Sequence, residues 1–134
     1  MIFRLTSKQL RFLRKVARKS YPVEACALLF GKTAGEESKI SKIEVTRNIL
    51  QSSVRFEIDP ETVVKAFQKA EQTGLQLVGI FHSHPAPSNP TTTDLQYMKL
   101  WPNTIWLILS TTEKEIAAFQ MVDDRVQKLT LKIE

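Results

Sequence analysis

The sequence predicts a mixed α/β fold in which a mostly antiparallel sheet is flanked by helices. Three observations support this prediction. Three segments have the apolar spacing of amphipathic helices, and six shorter segments are apolar or alternating, as strands are. Hydrophobic residues make up 43% of the 134 residues, which is enough for a packed core. No repeat, linker or low-complexity segment divides the chain, so we expect one domain over residues 1–134.

The first helix should begin at Ser7, because Thr6 and Gln9 have the spacing of a capping box. It should end before Pro22, since a residue that precedes proline avoids helical geometry. Its inward face is predicted to comprise Leu10, Leu13, Val16 and Ala17.

Two strands and a loop should follow this helix. Residues 24–31 are short, apolar and end at glycine, which is typical of a buried strand, and residues 39–47 alternate as a second strand does. Residues 48–54 are polar and lack periodicity. They predict a mobile loop that moves when a substrate binds.

Asp59 and Pro60 predict the start of the second helix, as its N-cap and first helical residue, and Gly74 predicts its end. The buried stripe of this helix should comprise Val63, Val64, Phe67 and Ala70. Residues 75–81 are then expected to form a central strand that delivers His82 at its C-terminal end.

The third helix should be short and begin near Thr91, with Asp94 in its first turn. Its inward residues are predicted to be Leu95, Met98 and Leu100. Three more strands are expected over residues 105–110, 115–121 and 126–133, with Asp123-Asp124 as the last turn.

The net charge of +5 raises the question of an acidic partner. Cations of the first predicted helix include Arg11, Arg14, Lys15, Arg18 and Lys19. They predict a solvated helix face, with a weak attraction to an acidic partner as the alternative. We expect no nucleic-acid partner, because such an interface needs exposed aromatic residues and the candidates are core-like. These candidates are Trp101, Trp106 and Phe119.

Cys26 is the only cysteine, which excludes an intramolecular disulfide, and it is expected to be a small buried side chain. The N-terminal residues lack the apolar stretch of a signal peptide. No apolar run approaches the roughly 18–20 residues of a membrane span. We therefore expect no membrane partner and, by default, a cytoplasmic location.

His82 and His84 are the only histidines, and they lie one residue apart at the end of the central predicted strand. Side chains at positions i and i+2 of a strand point to the same side. Asp94 follows after a loop that Pro85, Pro87 and Pro90 stiffen. Two imidazoles and a carboxylate with an open fourth position form a ligand set for catalytic zinc, which predicts a hydrolase. Iron(II) accepts the same ligand types and stays an alternative.

A hydrolytic zinc site also needs a group that accepts and returns a proton, and glutamate is the usual choice. Glu24 is the candidate, because it opens a predicted buried strand, where a charged residue needs a reason. A glutamate at the start of a strand is also often only a solvated end. The residues alone leave the role of Glu24 open.

Together, Pro22-Val-Glu24, His82-Ser83-His84-Pro85 and Pro90-Thr91-Thr92-Thr93-Asp94 resemble the JAMM (MPN-plus) zinc metalloprotease family, in particular its prokaryotic and archaeal single-domain branch. The resemblance covers nearly the whole chain and implies an MPN-like metalloprotease domain over residues 1–134, with a curved sheet. It implies that His82, His84 and Asp94 hold zinc. It also implies that Glu24 acts as general base and then as general acid.

The chain departs from the family at Thr91, where a serine usually stands three residues before the aspartate. The resemblance implies that the Thr91 hydroxyl stabilises the oxyanion, with a role as helix N-cap, or Thr92 in its place, as alternatives. Nine residues separate His84 from Asp94, where the family usually has ten. This difference suggests a one-residue deletion before Pro90.

The resemblance implies a zinc isopeptidase that cleaves after the C-terminal glycines of a ubiquitin-like modifier. The modifier's extended tail would lie along a sheet edge or a groove near the metal. Two alternatives stay open: a processing peptidase for a ubiquitin-fold sulfur carrier, and a catalytically silent MPN scaffold. Such scaffolds generally lack the ligand set that this chain retains. The sequence gives no prediction of oligomeric state.

Overall fold

A computed structural model describes residues 1–134 as three helices and eight strands. The helices are α1 (Ser7–Ser20), α2 (Pro60–Gln72) and α3 (Thr92–Leu100). The strands are β1 (Ile2–Leu5), β2 (Cys26–Ala34), β3 (Glu37–Thr46), β4 (Gln76–His84), β5 (Ile105–Ser110), β6 (Ile116–Val122), β7 (Arg125–Lys128) and β8 (Thr130–Ile133). None of the helices has the length and hydropathy of a membrane span.

All eight strands belong to one sheet, in the order β7-β6-β5-β4-β2-β3-β1-β8. The antiparallel pairings are β2–β3, β2–β4, β5–β6 and β6–β7, and the other three are parallel. The predicted fold class, a mixed fold with a mostly antiparallel sheet, is therefore confirmed. β7 and β8 lie at opposite ends of the order, yet only Leu129 separates them along the chain. The sheet therefore curves until its two ends approach each other at Leu129.

At the chain ends, one strand prediction was wrong and one strand was missed. The prediction of one strand over residues 126–133 was wrong, because β7 pairs with β6 whereas β8 pairs with β1. Between them, the amide of Leu129 donates to the carbonyl of Ala118 at 2.8 Å. Leu129, Leu131 and Ile133 still alternate across this change of partner, so the sequence pattern did not reveal it. β1 was not predicted at all, since its pairings with β3 and β8 join distant parts of the sequence.

The predicted start of α1 and the predicted end of α2 are confirmed. Thr6 Oγ1 accepts from the amide of Gln9 at 3.0 Å, and Gln9 Oε1 accepts from the amide of Thr6 at 2.8 Å, which is the predicted capping box. At the end of α2, Gly74 has φ +71° and its amide donates to the carbonyl of Glu71. The next amide, of Leu75, donates back to the same last turn, which completes a Schellman motif.

The predicted inward faces of α2 and α3 need correction. Val64 and Phe67 were expected to be buried, but they are 55% and 39% exposed, and Ala66 is buried with Ala70 instead. The reason is that α2 turns its small residues toward the core, which leaves Phe67 at the margin, edge-on to Phe30 at 6.0 Å. The last residue of α3, Leu100, was expected to face inward and is 72% exposed.

The sheet separates two layers of buried side chains. One layer lies under α1 and includes Phe3, Leu13, Leu29 and Phe81. The other lies under α2 and α3 and includes Leu28, Phe30, Ile80, Met98 and Trp106. Central strand β4 contributes alternate residues to both layers, because successive side chains of a strand point to opposite faces. This alternation sends His82 and His84 toward α3, and Ser83 toward α1.

Candidate metal centre

The two histidines lie at the last position of β4 and two residues before it, and both are buried. Their ring centroids lie 5.4 Å apart. The ring of His82 stacks on Phe56 at a centroid distance of 4.8 Å and meets the edge of Trp106 at 5.9 Å. Since β4 pairs with β2 on one side and with β5 on the other, this strand end has little freedom to shift. The imidazoles are therefore held in fixed positions.

Asp94 is brought to the histidines by the first turn of α3, where it is buried at the third helical position. Thr91 Oγ1 accepts from the amide of Asp94 at 3.1 Å, and Asp94 Oδ2 accepts from the amide of Thr91 at 2.9 Å. The same Oδ2 lies 3.2 Å from His82 Nε2 and 3.9 Å from His84 Nε2. This capping box fixes the carboxylate against both imidazoles.

The three side chains fit a divalent metal ion. Their donor atoms lie within 4.8 Å of one another. His84 Nε2 is buried and has no hydrogen-bond partner, which is costly for a polar atom unless another ligand uses it. Burial, and then the charge of His82, lower the pKa of His84, so its ring stays neutral, which is the form that binds metals. Burial raises the pKa of Asp94, but the hydrogen bond and charge interaction with His82, together with the hydrogen bond from the Thr91 amide, outweigh it and lower the pKa overall.

Glu24 lies in the segment just before β2 and is only 1% exposed. β2 and β4 are antiparallel, with Cys26 opposite His82, so continuing this register places Glu24 opposite His84. Its Oε1 has no hydrogen-bond partner. Burial, and then the negative charge of Asp94, raise the pKa of Glu24 to about 8. Glu24 is therefore a buried carboxyl with a free oxygen, within electrostatic reach of Asp94.

The raised pKa of Glu24 predicts how the stability of the metal-free protein depends on pH. Between the ordinary value of 4.5 and about 8, the folded protein keeps a proton that the unfolded chain has released. The free energy of unfolding should therefore fall as pH rises through this range, by on the order of a few kcal/mol. Thermal melts in chelator from pH 5 to 8 should show this loss in the wild type and a smaller one in Glu24→Gln. Parallel curves for the two proteins would contradict the prediction.

Two residues that the sequence did not single out hold the backbone around Glu24. Ser83 Oγ accepts from the amide of Ala25 at 3.0 Å, and the amide of Ser83 donates to the carbonyl of Ala25 at 3.0 Å. On the other side, buried Asn48 donates from Nδ2 to the carbonyl of Glu24 at 3.1 Å. The amide of Glu24 also donates to the carbonyl of Ser52 at 2.8 Å. These contacts fix the direction in which Glu24 leaves the backbone.

Asn48 also organises the loop that the sequence predicted over residues 48–54. Nδ2 donates to the carbonyl of Arg55 at 3.1 Å, while Oδ1 accepts from the amides of Leu50 and Glu57 at 3.1 and 3.2 Å. One side chain therefore joins both ends of the loop to the segment that carries Glu24. An asparagine in a polar stretch gives no periodic signal, so the sequence could not reveal this role. The movement of the loop on substrate binding stays a prediction.

Asn48→Ala is expected to lower the free energy of unfolding by about 2–4 kcal/mol, because it leaves the buried carbonyl of Glu24 and several partly buried backbone groups without partners. The same change should reduce activity, since it releases the backbone of Glu24. Chemical denaturation of the metal-free protein measures the first effect. Asn89→Ala is the matched control, because Asn89 is exposed, and it should change stability by less than about 0.5 kcal/mol. Equal stability of the two variants would refute the role of Asn48.

Most of the chain matches a known protein family. Residues 6–122 match the model of a family described as prokaryotic homologs of the JAB domain. The chain belongs to this family. The membership confirms the JAMM assignment made from the Glu24, His82-Ser83-His84-Pro85 and Asp94 motifs.

Relatives of this JAB-domain chain include two proteins named desampylase. The protein from Pyrococcus furiosus is 41% identical over 126 residues, covering 93% of this chain and 86% of the relative. The protein from Haloferax volcanii is 28% identical over 115 residues, covering 84% and 80%. A solution structure from Desulfitobacterium hafniense has a TM-score of 0.89 at 28% identity, covering 100% and 93% of the chains. One from Salinibacter ruber has a TM-score of 0.72 at 24% identity and covers 98% and 92%, which supports the fold alone.

Proposed function

We propose that this protein is a zinc-dependent isopeptidase that removes a ubiquitin-like modifier from lysine side chains, cutting after the modifier's C-terminal glycines. The observation that carries the proposal is the buried carboxyl of Glu24, with a free oxygen, beside the cluster of His82, His84 and Asp94. Relatives named desampylase, which match most of this chain, support the same reaction class.

Each side chain of the cluster has a separable task in this proposal. His82, His84 and Asp94 would hold zinc, which supplies Lewis-acid chemistry at a carbonyl when bound. Glu24 would take the proton of the attacking water and deliver it to the departing lysine amine. Glu24 has a carboxyl oxygen without a partner for this task, whereas Asp94 is engaged by Thr91 and His82. Burial excludes bulk water from these proton transfers.

The modifier tail needs a path to the cluster, and the topology restricts it. A position along the edge of β4 is disfavoured, because β4 pairs with β5 as far as His84 and with β2 as far as His82. An apolar groove of about 190 Å³ lies on the same face as the histidines, and Phe56 and Trp106, which line it, also contact the ring of His82. We assign the tail to this groove.

The direct test is a mass-spectrometric assay with the host's own ubiquitin-like protein. In one substrate the C-terminus of this modifier is linked to a lysine side chain. In the other, the same modifier carries a C-terminal peptide extension. The proposal predicts faster release from lysine, loss of activity in chelator and recovery with zinc. Preferred cleavage of the extension would favour the processing peptidase instead. A purified protein without stoichiometric zinc and without activity on either substrate would favour the silent scaffold.

Thr91→Val is expected to lower kcat at saturating zinc by about tenfold or more with little change in KM, if the hydroxyl also stabilises the oxyanion. The loss of the N-cap should also lower the free energy of unfolding by ~1 kcal/mol. Thr91→Ser is the matched control, because it keeps the hydroxyl and therefore both functions. If Thr91→Val keeps the wild-type kcat once zinc is saturating, Thr91 serves only to cap α3 and hold Asp94.

A further inference from the structure

A basic cavity that the proposed reaction does not use opens beside α1. It has a volume of about 500 Å³ and lies between α1 and the end of β5. Its charged lining residues are Arg14, Arg18 and Lys114, and none of them forms an ion pair. Acidic side chains are absent from the lining, although Glu113 and Glu115 flank Lys114 along the chain. The cavity therefore carries positive charge that no acidic residue of its lining neutralises.

The helix that forms one wall strengthens this charge. α1 contains six lysine or arginine residues and no acidic residue. The guanidinium of Arg14 donates to the carbonyl of Lys114 at 2.9 Å, which joins the two walls and fixes their spacing. The floor includes Ala17 and Leu109, and an apolar floor weakens the screening of the cations by water. A bound carboxylate would gain more here than on a flat basic surface.

The cavity lies next to the metal centre, on the other face of the sheet. Ser110, in its lining, is the register partner of His84, and the amide of Thr111 donates to the carbonyl of His84 at 3.1 Å. Tyr21, on the opposite wall, precedes Glu24 by three residues. A protein held at the cavity would therefore be anchored close to the strand end that carries the histidines.

We propose that this cavity binds an acidic surface segment of the ubiquitin-like modifier, which rests on the proposed function. The modifier is the component that every conjugate shares, so a fixed recognition site is expected to complement it rather than the variable target. The volume accommodates a few side chains, and arginine pairs well with carboxylates. A cavity of this size between a helix and a strand end does not admit a nucleic-acid duplex.

The test compares two double variants on one substrate, the host's ubiquitin-like protein linked to the lysine of an uncharged fluorescent peptide. Arg18→Gln with Lys114→Gln removes two cavity charges, and Lys15→Gln with Lys19→Gln removes two charges from α1 outside the cavity. All four side chains are exposed and free of hydrogen bonds, so folding should be unaffected. The cavity variant should raise KM roughly fivefold or more, leave kcat unchanged and weaken the salt dependence of KM. The control should change KM less than twofold.

Equal effects of the two double variants, or no effect of either, would overturn the inference. It would also be overturned if the cavity variant lost binding to a single-stranded RNA 20-mer while KM stayed unchanged, since that outcome assigns the cavity to nucleic acid. The affinity of the metal-free protein for the free modifier, measured in chelator, separates the proposed isopeptidase activity from the proposed binding site. Cavity-dependent binding without any cleavage would refute the proposed isopeptidase, whereas cleavage without cavity dependence would refute only this inference.

Discussion

Glu24→Gln is expected to lower turnover of a lysine-linked conjugate by about 10²–10⁴-fold while the protein still binds stoichiometric zinc. Glutamine keeps the size of the side chain and the backbone contacts with Asn48 and Ser52, but it cannot take a proton from water. In the structure, Glu24 has a free oxygen, whereas the proposed ligand Asp94 is already in contact with His82. The change should therefore separate proton transfer from metal binding.

The measurement needs kcat from the conjugate assay and the zinc content of the same protein batch. Glu71→Gln makes the same chemical change on the exposed surface of α2 and should leave both values unchanged. Loss of zinc in Glu24→Gln would mean that Glu24 is a ligand, and the assignment of roles would be wrong. Near wild-type turnover would remove Glu24 from the mechanism.

The parts of the fold that the sequence revealed depend on neighbours along the chain. The capping box at Thr6, the start of α3 after Thr91 and the left-handed Gly74 involve residues at most a few positions apart. The paired direction of His82 and His84 follows from strand alternation alone. Such features are visible in a single sequence because their physical causes are contained in a few consecutive residues.

The missed features depend on contacts between distant residues. β1 exists because β3 and β8 pair with it, and the break at Leu129 exists because the two ends of a curved sheet approach there. Which face of α2 is buried depends on the surface of the sheet against which the helix packs. That packing buries Ala66 and leaves Phe67 partly exposed. No local pattern encodes these choices.

The site shows the same division. Asn48 contacts backbone groups from Glu24 to Glu57, so its importance appears only when the loop and the segment before β2 are brought together. Ser83 could be assigned to the face opposite the histidines, but its partner Ala25 could not be named. The groups that carry the chemistry were therefore recognisable by residue type and spacing, whereas the groups that position them were not.

His84→Ala is expected to abolish stoichiometric zinc binding and activity together, with the affinity for zinc falling by more than about 100-fold, beyond the effect of losing an outer-sphere contact. The fold of the metal-free protein should survive, because His84 Nε2 has no hydrogen-bond partner to leave behind. His82→Ala is less informative, since it also removes the stacking on Phe56 and the contact with Asp94. Zinc should therefore raise the melting temperature of the wild type but not that of His84→Ala.

Ser83→Ala is the sharpest comparison, because Ser83 is the neighbour of His84 on the same strand but faces α1. It should keep zinc and the melting shift that zinc produces, while losing the hydrogen bond that holds Ala25 and, through it, Glu24. Turnover should then fall without loss of metal. If His84→Ala retained zinc, or if Ser83→Ala lost it, the claim that one face of β4 binds the metal and the other positions Glu24 would be refuted. Two adjacent substitutions on opposite faces of one strand thus test whether the two tasks are independent.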